Sequence, residues 1–408
     1  MLSTFRALRG RNYRRWAAGA FLSNIGTWMQ RTAQDWLVLV ELTHHQATQV
    51  GLVMALQFGP QLLLLPVTGY AADRYDRRHL IFVTQAGMGL LALGLGLLTL
   101  AGMVKLWQVD AFALALGCLS AFDAPARQTF ISDLVADTEL ANAVALNSAS
   151  FHSARLIGPA LAGLMIASIG SGGVFLINAL SFVAVLIALT HLKLHPERPT
   201  ATHQPPQGGL AAGFLYLGRR KDLLVLMVMI FIVGTFGLNF PIFISTMCVS
   251  VFHADARTYG YLSSVMALGS LSGALYSASR MQPSQRLLLW AVSLFALGCC
   301  AAAFMPDSFF FGVLLVLVGA SAQIYNTSSN SMIQLSCDPA MRGRVLAIML
   351  ALFLGGTPLG APVIGYIADH LGPRWAMLSG GMAALLASGI GILYLARFSR
   401  QPESATAQ

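Results

Sequence analysis

The stretch "GYAADRYDRRHLI" at residues 69–81 gathers charge in a chain of which only 10% is charged. Long apolar runs lie on both sides of it. A cluster of charge between two apolar runs predicts a short polar loop that joins two apolar helices. The ionisable residues at its centre are Asp73, Arg74, Asp76, Arg77 and Arg78.

The composition of the whole chain explains why the loop stands out. Of the 408 residues, 56% are hydrophobic even before the 39 glycines are counted. A soluble globular chain is about 45–50% apolar with glycine included and about 25% charged. Apolar runs of about twenty residues recur, and each can cross about 30 Å of hydrocarbon at 1.5 Å per residue. The sequence therefore predicts an all-α polytopic membrane protein.

These runs define twelve candidate transmembrane helices, numbered span 1 to span 12 in chain order. Their approximate cores are 15–40, 48–69, 80–102, 106–127, 142–168, 173–192, 223–250, 258–280, 286–305, 308–333, 345–368 and 375–397.

The distribution of lysine and arginine predicts the orientation. If the N-terminus is cytoplasmic, the outer side receives only Lys105, Arg257 and Arg374, while the inner side receives nearly all the other basic residues. This asymmetry predicts that both termini are cytoplasmic. It also accounts for the net charge of +9 without nucleic acid. Two arginines, Arg31 and Arg155, fall inside predicted spans.

The spans divide into two related halves. Residues 1–192 form a predicted N-terminal half and 222–397 a C-terminal half, joined by a proline-rich cytoplasmic linker at 193–221 and followed by a disordered tail at 398–408. "VMAL" occurs in both halves, and "GPALAG" resembles "GAPVIG". Two short matches in the same order indicate a parallel duplication of six helices.

Ionisable groups inside the spans are candidates for function. Of the acids, only Asp35 lies well inside a predicted span, one turn after Arg31. An ionisable group in hydrocarbon is costly, and a carboxylate there binds a proton more readily than in water. We therefore predict that Asp35, assisted by Arg31, couples transport to protons. The alternative is a permanent structural ion pair between the two.

Other polar residues within the spans are candidates for lining a substrate cavity. Each could equally make an interhelical hydrogen bond. They are Gln30, Gln34, His152, Arg155, Asn239, Gln323, Asn326 and Asn330.

Span 5 contains a face of small residues. Ser150, Ala154, Gly158 and Ala162 recur every four positions, and Pro159 should bend the helix. The pattern predicts a close helix contact.

The opening stretch has the form G-x-x-x-D-R-x-x-R-R, which strongly resembles the signature loop of the major facilitator superfamily. The resemblance implies a twelve-helix fold in two six-helix halves that alternate between inward and outward access. It implies that Gly69 permits close helix approach and that Asp73 binds the start of span 11. It also implies that Arg77 pairs with Asp123 near the inner end of span 4. These charges, with Arg74 and Arg78, would latch the halves together.

The family pattern usually has a glycine where this chain has Asp76. The alternative to a latch is a basic loop with incidental acids.

Two further stretches, "NYRRWAAGAFLSNIGTWMQRTAQDWLV" and "FDAPARQTFISDLVADTELANAVALNSASF", resemble the subfamily of enterobactin exporters and macrolide efflux proteins. This implies a bacterial inner-membrane exporter of a drug-like or siderophore-like molecule, driven by the proton gradient. The Gly158, Pro159 and Gly163 stretch resembles the signature of the superfamily's exporters. An importer on the same fold is the alternative.

Other classes of function are disfavoured. No Walker A sequence is present, the five cysteines form no C-x-x-C pair, and no metal-spaced His/Cys group occurs. We therefore predict a transporter and no enzyme, with no metal and no cofactor apart from the proton gradient. Its expected partners are the bilayer, protons and a small-molecule substrate, and it is expected to be a monomer.

Overall fold

The computed structural model describes residues 6–192, 209–280 and 284–398. Over these ranges the chain is helical and contains no strand, which confirms the predicted all-α class. The predicted tail at 398–408 lies almost wholly outside the described residues, as does the linker from 193 to 208.

Fourteen α-helices are described, numbered here in chain order. The bounds of α1 to α7 are Arg11–Trp36, Ala47–Leu63, Leu65–Arg74, Arg77–Leu100, Leu106–Leu134, Asp137–Thr190 and Gly209–Arg219. Those of α8 to α14 are Lys221–Ile232, Phe240–Thr246, Ala256–Ala278, Gln285–Ala303, Ser308–Ser336, Pro339–His370 and Pro373–Phe398. A 3-10 turn precedes α1 at Arg6–Arg9, and π-helical turns follow α1, α8 and α9 at Leu37–Leu42, Val233–Gly237 and Met247–Val251.

Within the described part of the chain, eight helical stretches are long and apolar enough to cross a membrane. They are Arg77–Leu100, Leu106–Leu134, Thr138–Thr190, Lys221–Val251, Gln285–Ala303, Ser308–Ser336, Met341–His370 and Pro373–Ala396. Large apolar side chains on their surfaces are exposed, as in Leu180 at 69% and Trp290 at 75%. Such a surface is stable only against hydrocarbon, so the chain is an integral membrane protein.

Breaks in the long helices have local causes. Gly170 interrupts α6 with φ 74° and ψ 169°, a conformation that glycine adopts without steric cost. It separates the stretches predicted as spans 5 and 6. Between α2 and α3 the helix is broken at Leu64, and Pro66 in the first turn of α3 has no N–H to continue the α2 ladder.

The described helices separate into two compact units, Met1–Gln204 with Ile244–Ser264, and Pro205–Phe243 with Val265–Gln408. In the first unit, Trp16 packs edge-on against Phe130 at 5.2 Å, and the Tyr13 hydroxyl donates to the Ala143 carbonyl at 2.7 Å. In the second unit, Phe240 packs on Phe295 at 6.0 Å between ring centroids. Ile244–Ser264 was expected in the C-terminal half, and its packing with the first unit was not predicted.

Candidate substrate and proton site

Asp35 lies in the last turn of α1, and its carboxylate has a partner from a distant helix. The Tyr259 hydroxyl donates to Asp35 Oδ2 at 3.1 Å. Tyr259 is 2% exposed, and its ring stacks on Trp36 with the centroids 6.3 Å apart. The hydrogen bond therefore ties the end of α1 to the first turn of α10.

Tyr259 is held there by close backbone packing between α10 and α6. A Cβ on Gly163 would lie 2.5 Å from the Ala256 carbonyl oxygen and 3.1 Å from the Gly260 Cα. A Cβ on Gly260 would collide with the Pro159 carbonyl. Only glycine allows this approach, and we call it the α6–α10 contact. It uses Pro159 and Gly163, which follow Gly158 and Ala162 of the predicted small-residue face by one position each.

The predicted small-residue face of α6, which includes Gly158, packs on α1. A Cβ on Gly158 would lie 2.6 Å from the Trp28 Cβ and 3.1 Å from the Ile25 carbonyl oxygen. Ala154 and Ala162 are fully buried. The small residues of α6 therefore bring α1 and α10 against one helix.

The first turn of α10 has its own cap. Asp255 Oδ1 accepts from the Thr258 amide at 3.0 Å and from the Thr258 hydroxyl at 2.9 Å. The hydrogen bond from the Thr258 amide is the main reason why the pKa of Asp255 is lowered. The cap fixes the backbone one residue before Tyr259.

Arg31 faces aromatic rings. Its guanidinium carbon lies 5.0 Å from the Trp28 ring centroid and 5.3 Å from that of Phe58. Its buried Nε has no hydrogen-bond partner. Among the ion pairs of the described residues, none within 4.0 Å joins Arg31 to Asp35.

Arg155 approaches the same indole from α6, 5.4 Å from the Trp28 ring centroid. Within the described part of the chain its guanidinium has no hydrogen bond and no ion pair. Phe151 packs edge-on against both Trp28, at 5.7 Å, and His152, at 5.8 Å. Aromatic rings therefore lie beside both of the arginines that fall inside predicted spans.

Gln30 and Gln34 are buried on α1, 5% and 3% exposed. Gln30 Oε1 accepts from the Asn178 amide at 2.5 Å, which joins α1 to the second part of α6. Gln30 thus makes the interhelical hydrogen bond that was the alternative to a cavity position.

The charged loop has an ion pair different from the one that the resemblance implied. Arg77 donates to Asp133 Oδ1 at 3.1 Å, so the implied partner, Asp123, is wrong for this structure. The reason is that α5 continues to Leu134. This brings Asp133, which lies beyond the predicted end of span 4 at 127, to the start of α4.

Asp123 is instead buried in the interior of α5. Its Oδ1 accepts from the Thr84 hydroxyl at 2.8 Å and the Gln85 amide at 2.9 Å, and Arg127 lies 3.7 Å from its Oδ2. The expectation that only Asp35 lies well inside a helix is therefore wrong. The signal was present, because Arg127 follows Asp123 by one turn.

The rest of the loop ends one helix and starts another. Asp76 caps α4 by accepting from the His79 amide at 2.8 Å, so this acid supplies a cap where the family usually has glycine. Arg78 donates to the Thr190 carbonyl at 3.3 Å, and Arg74 is exposed. Gly69 and Asp73 lie in α3, but their side-chain surroundings are outside the described part.

In the second unit, α12 lines a cavity of about 190 Å³. Asn326 and Asn330 face it beside Tyr325, with Leu238 and Phe353 among its apolar walls.

The other polar candidates of this unit are not among the residues lining that cavity. Gln323 donates to the Thr327 hydroxyl at 3.2 Å. Asn239 is fully buried and donates to the Thr235 carbonyl at 2.7 Å, next to the π-helical turn.

No cluster of three or more His, Cys, Asp or Glu that could hold a metal occurs among the described residues. Sequence reasoning missed Tyr259, Trp28 and Phe58. A tyrosine before a glycine at the start of a span is the only local hint of Tyr259, because its partner is 224 positions away.

The fold is that of known membrane transporters. A bacterial homolog of the human lysosomal transporter Spinster, in an inward-facing and unoccupied conformation, matches with a TM-score of 0.75 at 16% identity, over 96% of this chain and 99% of that one. A POT family transporter in complex with 5-aminolevulinic acid matches with a TM-score of 0.74 at 12% identity, over 96% and 97%.

The sequence then identifies the family. The transmembrane secretion effector family matches residues 2–407, and the chain belongs to it, within the major facilitator superfamily. It is a membrane transporter and no enzyme.

Among its relatives, the staphyloferrin A transporter of Staphylococcus aureus is 26% identical over 87% of this chain and 89% of the relative. The enterobactin exporter EntS of Shigella flexneri is 26% identical over 91% and 89%.

Proposed function

We propose that this chain is a proton-coupled secondary active exporter of a drug-like or siderophore-like small molecule. It works by alternating access in the bacterial inner membrane, with both termini in the cytoplasm. The observation that carries the proposal is the Tyr259–Asp35 hydrogen bond beside the α6–α10 contact. The names of the staphyloferrin A and enterobactin relatives support the substrate class.

We also propose that the chain crosses the membrane twelve times in two parallel-repeat halves. Two π-helical turns, Leu37–Leu42 and Met247–Val251, support the duplication. Each is followed by a histidine with positive φ, 48° at His44 and 51° at His253. The matching backbone hydrogen bonds are Thr43–Val38 with Phe252–Met247, and His45–Leu39 with Ala254–Cys248.

The remaining predicted spans correspond to helices that are not among the eight long apolar stretches, or to one stretch that contains two spans. Polar residues such as Asn24, Gln30 and Arg31 lower the mean hydropathy of α1, yet α1 matches span 1 in position. The pair α2 and α3 matches span 2, α10 matches span 8, and α6 supplies both spans 5 and 6 around Gly170. These assignments give twelve passes.

Asp35 is the proposed proton carrier. A hydrogen bond donated to a carboxylate stabilises its ionised form. While the α6–α10 contact holds Tyr259 against Asp35, this hydrogen bond makes proton release more favourable than it would be without the donor. When α10 separates from α6, Asp35 loses its donor and favours binding one.

Proton binding is thereby coupled to the conformational change. In the proposed topology, α10 begins at the outer face, so Asp35 binds a proton from outside and releases it inside. The substrate moves in the opposite direction. An importer that uses the same elements is the alternative.

The charged loop is proposed as the second conformational element. The Arg77–Asp133 pair is partly exposed, with side chains 24% and 33% accessible. Such a pair contributes about 0–1 kcal/mol, which is small enough to break in each transport cycle. Asp73 remains the proposed latch acid.

Efflux from cells tests the proposal. Dyes, macrolides and catecholate siderophores are loaded into cells that lack their main exporters, and export is compared between the wild type and Asp35→Asn, with and without an uncoupler. We expect at least one compound to be exported by the wild type, and this export to stop with the uncoupler and in the variant. Export that survives in Asp35→Asn would exclude Asp35 as the carrier. Net uptake would favour the importer.

A further inference from the structure

Two guanidinium groups share one indole ring. Arg31 on α1 and Arg155 on α6 lie 5.0 and 5.4 Å from the Trp28 ring centroid. The distance between the two guanidinium carbons therefore cannot exceed the sum of these two distances. Both residues are half-buried, so neither is sealed inside the helices.

The charges of this cluster are not balanced, because one nearby carboxylate, that of Asp35, is set against two guanidinium groups. The acid nearest in sequence, Asp35, accepts its described hydrogen bond from Tyr259, and no ion pair with Arg31 or Arg155 is found among the described residues. Two cations close together in a low-dielectric region repel each other strongly. A bound anion, reached by the terminal N–H groups of the two arginines, would balance this charge.

The geometry leaves the donors available. A guanidinium that lies over an aromatic face keeps its N–H groups in its own plane, where they can bind a carboxylate with two parallel hydrogen bonds. Phe58 adds an apolar wall beside Arg31, and Phe151 packs on the shared indole of Trp28. Rigid aromatic walls with a few fixed polar groups are typical of small-molecule sites.

We propose that Arg31, Trp28 and Arg155 form a subsite for the carboxylate groups of an organic polyanion. The proposal rests on the proposed function, because it names the substrate class of the same site. The arginines disfavour cationic cargo by repulsion. An anion leaving the cytoplasm is also driven outward by the inside-negative membrane potential.

Binding to purified protein in zwitterionic nanodiscs tests the subsite separately from transport. Three fluorescent probes share one core: a free tricarboxylate, its trimethyl ester and a triamine of the same size. Fluorescence anisotropy gives the Kd of each. We expect the tricarboxylate to bind at least tenfold more tightly than the ester, and the triamine not to bind.

Variants locate the binding. Arg155→Gln and Arg31→Gln should each weaken tricarboxylate binding about tenfold without changing ester binding, and Arg155→Lys should fall between. Arg257→Gln removes an equal charge at an exposed position and is the matched control. A thermal melt of each variant confirms folding.

Three results would overturn the subsite: equal affinity for acid and ester, no binding of the tricarboxylate, or tricarboxylate binding that Arg155→Gln and Arg31→Gln leave unchanged. If efflux in cells still depends on Asp35 in that case, the proposed function stands and only the substrate class is wrong. If the tricarboxylate binds as expected but nothing is exported, the proposed function fails and the subsite stands.

Discussion

Replacing Tyr259 with phenylalanine removes one hydroxyl and keeps the ring that stacks on Trp36. The lost contact is the 3.1 Å hydrogen bond to Asp35. A hydrogen bond to a charged group is worth about 1.5–3 kcal/mol, and each 1.4 kcal/mol is a factor of ten. Proton release from Asp35 should therefore become at least about tenfold less favourable while the α6–α10 contact is closed.

Less favourable proton release lowers the transport rate if proton release is the slowest step of the cycle. We expect Tyr259→Phe to lower kcat for efflux about tenfold when the pH on the cytoplasmic side of the transporter is neutral. In proteoliposomes, kcat of the variant should recover as the pH on that side is raised. Substrate KM should stay the same, because Tyr259 is not in the proposed anion subsite. Tyr261→Phe, an exposed tyrosine on the same helix, is the matched control. A variant with wild-type kcat at every internal pH would refute the coupling of Tyr259 to Asp35.

Three further changes test neighbouring parts of the account. Gly260→Leu inserts a side chain where even a Cβ collides with the Pro159 carbonyl, so it should hold α6 and α10 apart. Cysteine accessibility or a spin-label distance between the two helices should increase, and an unchanged distance would contradict the close contact. Asp73→Asn should slow efflux with little loss of substrate binding, measured as kcat against Kd, and unchanged turnover would remove it from the latch. Asp255→Ala removes the cap of α10 and should lower stability by about 1 kcal/mol at neutral pH. Because the folded pKa of Asp255 is lowered, this contribution is complete above the unfolded value of about 3.9 and is lost as the pH falls through the folded pKa. Thermal melts of both proteins should therefore converge in acid, and a constant difference would show that the carboxylate is not the cap.

The sequence predicted those features that depend on composition and local spacing. Helix-length apolar runs are set by the thickness of hydrocarbon, so the all-α membrane class followed from them. The small-residue face of span 5 was recognisable because its period is that of a helix. Gly158 of that face accordingly lies in a close contact with α1.

Features that depend on tertiary packing could not be read in the same way. The Arg77 pairing depends on how far α5 extends, and a predicted end at 127 in place of Leu134 favoured Asp123 over Asp133. Tyr259 approaches Asp35 only because α10 packs on α6, and a single sequence carries no record of that contact. A permanent Arg31–Asp35 pair was the alternative suggested by their spacing on one helix, but the guanidinium of Arg31 lies over Trp28 and Phe58.

The most direct test of the central claim is proton release on substrate addition. Purified protein in detergent, in weakly buffered solution with a pH dye, is mixed with a compound that the cell assay identifies as exported. A coupled exporter with Asp35 as carrier should release protons with the wild type and none with Asp35→Asn, although both bind the compound. Equal proton release from the two proteins, or none from either, would contradict the account.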